Sequence, residues 1–69
     1  MADSVYKVSE IIGTSSESIS RAIDHAIHKA SETLRHLGWF EVTEIRGKLT
    51  DGSIEHYQVT IKVGFRLEE

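Results

Sequence analysis

The sequence predicts an α+β fold in the order β-α-β-β, with a three-stranded antiparallel sheet packed on one long helix. One stretch has apolar residues at the three- and four-residue spacing of a helix. Two later stretches are rich in β-branched residues, and Asp51-Gly52 between them is a strong hairpin signal. The chain has 69 residues, too few to favour a second domain, so we expect one domain over residues 1–69.

Composition limits the possible classes of function. There are no cysteines, which excludes disulfides and thiolate zinc sites and fits a cytoplasmic protein. The net charge of −3 argues against a nucleic-acid partner. No apolar run reaches the roughly 18 residues of a membrane span, and the N-terminal stretch does not resemble a signal peptide. A domain this small buries only about 60% of the surface that its unfolded chain exposes, so its stability is marginal. Self-association is the source of additional stability that the composition leaves open.

The first strand is expected at residues 5–13, a run rich in β-branched residues that ends at a glycine. Thr14 and Glu17 follow at the three-residue spacing of a capping box, in which the hydroxyl and the carboxylate satisfy free backbone N–H groups. The helix is therefore expected to begin here.

The helix is predicted from one apolar stripe that extends over about six turns. Arg35 and His36 suit the negative pole of the helix dipole, and Gly38 is expected to end the helix. The stripe consists mostly of alanine and isoleucine, so the helix can lie close to the sheet. Its members are Ile19, Ala22, Ile23, Ala26, Ile27, Ala30, Leu34 and Leu37.

The last strand alternates cleanly between apolar and polar residues, so one of its faces must meet the helix. The apolar face holds Tyr57, Val59, Ile61, Val63, Phe65 and Leu67; the polar face holds His56, Gln58, Thr60, Lys62, Gly64 and Arg66.

The middle strand needs a β-bulge near Thr43-Glu44, because its apolar residues change parity there. The bulge puts Phe40, Val42, Ile45 and Leu49 on the helix side, and Trp39, Glu41, Arg46 and Lys48 on the opposite side. An indole on the face away from the core suggests a surface covered by another subunit, a flat ligand or both. Equally, Trp39 could only fasten the helix end to the sheet margin, since tryptophan is often half buried.

Other candidate sites are weaker. His25 and His28, with Asp24 beside them, have a spacing that any polar helix face produces, and no third ligand is apparent, so we expect no metal. Ser15 and Ser16 lack a nucleophile elbow, and no catalytic residues are expected.

The segments GTS, WFEV, IRG, YQV and the ending VGFRLEE occur in an order and spacing that resemble the dodecins, above all the bacterial ones. The resemblance covers essentially the whole chain. It implies a small flavin-binding protein that assembles as a hollow homo-dodecamer, with paired flavins at two-fold contacts between subunits.

The resemblance also implies roles for individual residues. Trp39 in WFEV would stack on the isoalloxazine ring, Gln58 in YQV would hydrogen-bond the polar ring edge, and Arg46 in IRG would lie beside the pocket. Lys48 stands where archaeal dodecins have a carboxylate, which favours FMN over lumichrome or riboflavin. We therefore expect a protein that stores, buffers and photoprotects flavin and is not an enzyme. The alternative is an interaction or small-enzyme module that binds another planar ligand on this sheet face.

Overall fold

The strand that comes last in the sequence lies in the middle of the sheet. The computed structural model describes residues 3–68, so Met1, Ala2 and Glu69 of the predicted domain lie outside the described residues. The elements are β1 (Tyr6–Ser15), α1 (Ile19–Ser31), β2 (Leu37–Thr50) and β3 (Ser53–Arg66). The strand order is β1-β3-β2, and both pairs are antiparallel. The predicted β-α-β-β fold is confirmed.

The core lies between α1 and the apolar face of β3. It consists of Ala22, Ala26, Ala30, Val59, Ile61 and Val63, all buried. The small helix residues let α1 approach the sheet closely, and the tightest approach is at Gly13. A Cβ on Gly13 would overlap the Ala22 carbonyl oxygen and lie 2.9 Å from the Ala26 Cβ. The alternation predicted for β3 and the closely packed alanine stripe are therefore both present.

The start of the helix differs from the capping-box prediction. β1 continues to Ser15, where it still pairs with β3, so Thr14 is a strand residue rather than a cap. The N-cap is Ser18, whose hydroxyl accepts a hydrogen bond from the backbone N–H of Arg21 at 3.0 Å. The Ser15 hydroxyl accepts from the N–H of Glu17 at 3.0 Å. The strand sets the boundary, because β1 stays in register with β3 as far as Ser15 and the Thr14 carbonyl accepts a hydrogen bond from the His25 ring.

The helix also ends earlier than predicted, at Ser31 with Glu32 as its C-cap. Its 13 residues end in a tightened turn, in which the N–H groups of Thr33 and Leu34 both donate to the Ala30 carbonyl. Gly38 is not the stop, since it belongs to β2. Within residues 3–68 no helix is long and apolar enough to cross a membrane.

The chain reverses after the helix through His36, which has a φ of 61° in the left-handed region. That conformation disfavours most residues other than glycine, and two contacts hold His36 in it. Its carbonyl accepts from the Arg66 N–H at 3.0 Å, and its Nε2 donates to the Glu68 carboxylate at 2.8 Å. The connection therefore leads directly into β2, with Leu34 and Leu37 packed against the core although both lie outside the helix.

The β2–β3 hairpin closes through Asp51 and Gly52, with φ values of 53° and 77°. A type I′ turn requires positive φ at both positions, which explains the Asp-Gly pair. The register shifts between Val42 and Glu44, so Thr43 is the extra residue of the predicted bulge. Beyond it Ile45 pairs with Val59 and Arg46 with Gln58. The predicted division of β2 between the two faces is confirmed.

The helix covers only part of the sheet. α1 lies against β1 and β3 and hardly touches β2, in a molecule with extents of 56 × 20 × 13 Å. The helix-side residues of the hairpin are therefore exposed, although the alternation predicts that they face a core. We call this surface the uncovered apolar face; it consists of Phe40, Val42, Ile45, Leu49 and Ile54.

Replacing the cap residue distinguishes the two capping arrangements. Ser18→Ala is expected to lower the free energy of unfolding by about 1 kcal/mol, because it leaves the Arg21 N–H without its acceptor. Thr14→Val removes a hydroxyl that caps nothing and keeps the β-branched shape, so its effect should stay within about 0.5 kcal/mol. Urea unfolding followed by circular dichroism measures both. Equal losses of unfolding free energy in the two variants would support the predicted cap at Thr14 instead.

Candidate functional site

Trp39 lies on the sheet face opposite the helix. It is paired with Gly64 of β3, whereas the next residue, Phe40, is paired with the buried Val63 on the helix side. The Trp39 side chain covers Gly64, which is buried, while 47% of Trp39 itself remains exposed. Trp39 therefore belongs to the outer face of the sheet, by which we mean the face away from α1.

The indole covers Gly64 with the flat side of its six-membered ring. A Cβ built on Gly64 would overlap Cε2 and Cζ2 of Trp39 almost equally and would lie 2.7 Å from Cη2. An approach in the plane of the ring would meet one atom, or the two atoms of one bond, and leave the next ring atom clearly farther away. The short distances to all three consecutive atoms therefore mean that one side of the ring faces the β3 backbone. With that contact covered, the exposed 47% of Trp39 belongs to the remainder of the residue.

A second group of predicted site residues lies elsewhere on the outer face. Arg46 is the direct cross-strand partner of Gln58, and Lys48 follows on the same side of β2. The Arg46 guanidinium is 3.4 Å from Glu44, and the Lys48 ammonium is 3.6 Å from Glu55. Both pairs are well exposed and hence weak. The structure thus brings Gln58, Arg46 and Lys48 together as a polar cluster.

Trp39 is not part of this polar cluster within one chain. Its partner Gly64 is six residues from Gln58 along β3. Six residues of extended strand span about 20 Å at a rise of 3.3 Å per residue. Sequence analysis put Trp39 and Gln58 on the same face, which is confirmed, but it did not establish how far apart they lie. One chain therefore carries the indole and the polar cluster at separate places on one face.

The residues that surround the indole were not predicted from the sequence. Gly64 interrupts a series of large polar side chains on the outer face of β3, and an isolated glycine in a strand often marks a close approach. Tyr6 lies on the same face, and its ring passes 3.4 Å from where a Gly38 Cβ would be. The Gly64 signal was therefore present in the sequence, whereas the Tyr6 contact required the strand order.

One histidine of the helix, His25, has a hydrogen bond outside the helix. His25 donates through Nδ1 to the carbonyl of Thr14 at 2.9 Å, which ties the helix to the end of β1. Among residues 3–68 no three or more His, Cys, Asp or Glu side chains are grouped so that they could hold a metal ion. This contact gives His25 a structural role.

The sequence profile of the Dodecin family matches residues 5–68, nearly the whole chain. A dodecin of Thermus thermophilus is 54% identical over 65 residues, which cover 94% of each protein. The chain belongs to the dodecin family. The resemblance noted in WFEV, IRG and YQV is thereby confirmed, and with it membership of a family of small flavin-binding proteins.

Solved dodecin structures have the same fold. The chain is similar to a dodecin from Streptomyces davaonensis, with 54% identity and a TM-score of 0.94, over 99% of this chain and 100% of that one. A dodecin from Streptomyces coelicolor gives 49% identity and a TM-score of 0.95, over 100% and 99% of the two chains. At this likeness the long hairpin and the single helix are features of these relatives as well.

Proposed function

We propose that this dodecin-family chain binds FMN, or riboflavin, on Trp39 at contacts between copies, and thereby stores, buffers and photoprotects the flavin in the cytoplasm. The proposal rests on the position of the Trp39 indole. It lies flat on Gly64 on the face opposite the core, and 47% of Trp39 remains exposed. A flat, partly exposed ring is a suitable surface for another flat ring to stack on.

The chemistry of flavin fits this surface. Isoalloxazine is flat and electron-poor, and indole is the most electron-rich aromatic side chain, so the two stack favourably. Stacking of a comparable ring on an aromatic side chain is worth about 1–3 kcal/mol. The Gln58 amide has both donor and acceptor groups, which matches the alternating N–H and C=O groups at the flavin edge.

The phosphate of FMN gives the polar cluster a role. Arg46 and Lys48 are exposed, and their ion pairs with Glu44 and Glu55 cost little to exchange. Either cation could therefore turn from its carboxylate to a phosphate, which forms charge-assisted hydrogen bonds. This favours FMN over riboflavin, which has no phosphate.

A complete site needs two copies of the chain. About 20 Å separates Trp39 from Gln58 along β3, more than one isoalloxazine ring can span. A two-fold contact solves this problem, because it brings residue i of one copy to residue j of the other, and the reverse. We therefore assign Trp39 and Gln58 of each site to different subunits.

The uncovered apolar face supplies a reason to associate. Phe40 is 49% exposed and Ile45 54% exposed, although both lie on the helix side of the sheet. Burying a large apolar side chain completely stabilises by about 1.5–3 kcal/mol, so covering this face favours assembly. A second copy is the natural cover, and the hollow dodecamer of the family is the assembly we propose.

Storage and photoprotection follow from the stacking. An excited flavin accepts an electron readily, and the adjacent indole can donate one and receive it back without net reaction. The ligand thus returns to its ground state with its fluorescence quenched. The site residues that we propose bind and shield the ring, and none of them is assigned an acid–base role.

Removing the indole tests the site directly. Trp39→Ala should weaken FMN binding about tenfold or more, the loss expected from one stacked ring. Trp39→Phe keeps a smaller ring and should lose less. Titration of FMN fluorescence with apoprotein measures both, and the mass of the assembly is measured in parallel. An unchanged FMN affinity in Trp39→Ala, with assembly intact, would remove Trp39 from the site.

Mixed assemblies test whether two copies share a site. Trp39→Ala and Gln58→Ala are each expected to have no intact site. After unfolding together and refolding as a mixture, some interfaces combine the tryptophan of one chain with the glutamine of the other. Wild-type affinity should return in that fraction, measured by quenching of FMN at low concentration. Refolding each variant alone is the control; no recovery in the mixture would place both residues within one subunit's site.

A charge in the uncovered apolar face tests its role in assembly. Ile45→Lys should produce smaller particles, because a lysine there is costly to bury. Thr50→Lys adds the same charge beside the turn and should leave the mass unchanged. Light scattering coupled to gel filtration gives the mass, and circular dichroism checks that both variants are folded. Full-size particles of Ile45→Lys would exclude this face from the contacts.

A further inference from the structure

The outer face of β3 contains one position without a side chain, and the indole lies over it. Large or polar side chains occupy the neighbouring outer positions, while Gly64 leaves its own position open; those side chains are Gln58, Thr60, Lys62 and Arg66. Trp39 of β2 is directly paired with Gly64 and fills that space. The two residues are 25 positions apart in sequence, so only the strand register brings them together.

The fit leaves no room for even a methyl group. Carbon atoms in contact are normally about 3.5–4.0 Å apart, whereas a Cβ at Gly64 would overlap two ring atoms and lie 2.7 Å from a third. The ring is rigid, so it could not yield by a small bend. The whole indole would have to lift from the sheet or rotate about its side-chain bonds.

We infer that Gly64 is the positioning residue for Trp39. Its missing side chain lets the indole lie flat on the β3 backbone, which holds the ring in one plane while 47% of Trp39 stays exposed. The consequence for flavin rests on the proposed function. A ring held in one plane stacks without first losing rotational freedom, and such preorganisation improves affinity.

Gly38 provides a matched control. It is the immediate neighbour of Trp39, and a Cβ there would lie 3.4 Å from the Tyr6 ring and 3.7 Å from the Gly64 carbonyl oxygen. These are ordinary contact distances, and the Tyr6 ring is the mobile end of a side chain. Gly38→Ala thus makes the same chemical change in the same region without displacing the indole.

The first measurement needs no flavin. The chain has one tryptophan, so its fluorescence reports Trp39 alone. In the full-length apoprotein, Gly64→Ala should shift the emission maximum, increase acrylamide quenching and alter the near-ultraviolet circular dichroism. Gly38→Ala should match the wild type in all three. An unchanged indole signal in folded Gly64→Ala would overturn the inference, whether or not the protein binds flavin.

The second measurement tests the consequence for the ligand. Gly64→Ala should weaken FMN binding about tenfold, comparable to loss of the stacked ring, and Gly38→Ala should not. In a Trp39→Ala background, adding Gly64→Ala should change the FMN affinity no further, because the ring it displaces is already absent. A further loss in that background would show that Gly64 acts independently of Trp39. Failure of the wild type to bind FMN would reject the proposed function and leave the first measurement valid.

The double variant also covers the case in which Gly64→Ala does not fold. Removing the indole removes the overlap, so Trp39→Ala/Gly64→Ala should unfold at the same urea concentration as Trp39→Ala. Recovery of folding in the double variant would assign the defect to the ring. If the double variant were as unstable as Gly64→Ala, the glycine would serve the backbone of β3 and the inference would fail.

Discussion

The alternation of β3, paired on both edges, is the constraint on which the rest of the molecule depends. Its odd-numbered residues Val59, Ile61 and Val63 are directed to the helix and are almost completely buried. Its even-numbered residues necessarily face the other way. A shift of one residue would exchange the two faces, removing the helix's partners and the place where the indole lies. The core and the proposed binding surface are thus two sides of one strand.

The single helix also explains why part of the apolar face of the sheet is left uncovered. α1 is short, and it packs against β1 and β3, so the long hairpin extends past it. The residues that β2 contributes to the uncovered apolar face are directed to the helix side, but α1 does not reach over them. The polar cluster on the outer face similarly lies far along the strand from Trp39. Both arrangements are incomplete in one chain, and a second chain would complete both.

Most of the strand pattern was predictable because it depends on local chemistry. The Asp51-Gly52 turn, the alternation of β3 and the bulge at Thr43 all follow from residue type and parity. The predicted ends of the helix were wrong. At its start, pairing with β3 keeps Thr14 in a strand; at its end, a tightened turn on the Ala30 carbonyl stops the helix before Gly38, and the chain reverses at His36 in a conformation typical of glycine. For the site, the sheet face on which Trp39 lies was predictable from parity. Its distance from Gln58 and its contact with Gly64 depend on the register of the strands, which the sequence pattern does not give.

The separation of Trp39 and Gln58 along β3 has a thermodynamic consequence. If neither half of the receptor suffices alone, occupancy and subunit association are linked by mass action, and each raises the other's equilibrium constant. Binding of flavin would then protect the proposed assembly against dissociation on dilution, and dissociation of the assembly would release the flavin. The amount of flavin that the protein can bind would rise more steeply with the subunit concentration in the cell than it would for a carrier whose pocket lies within one chain.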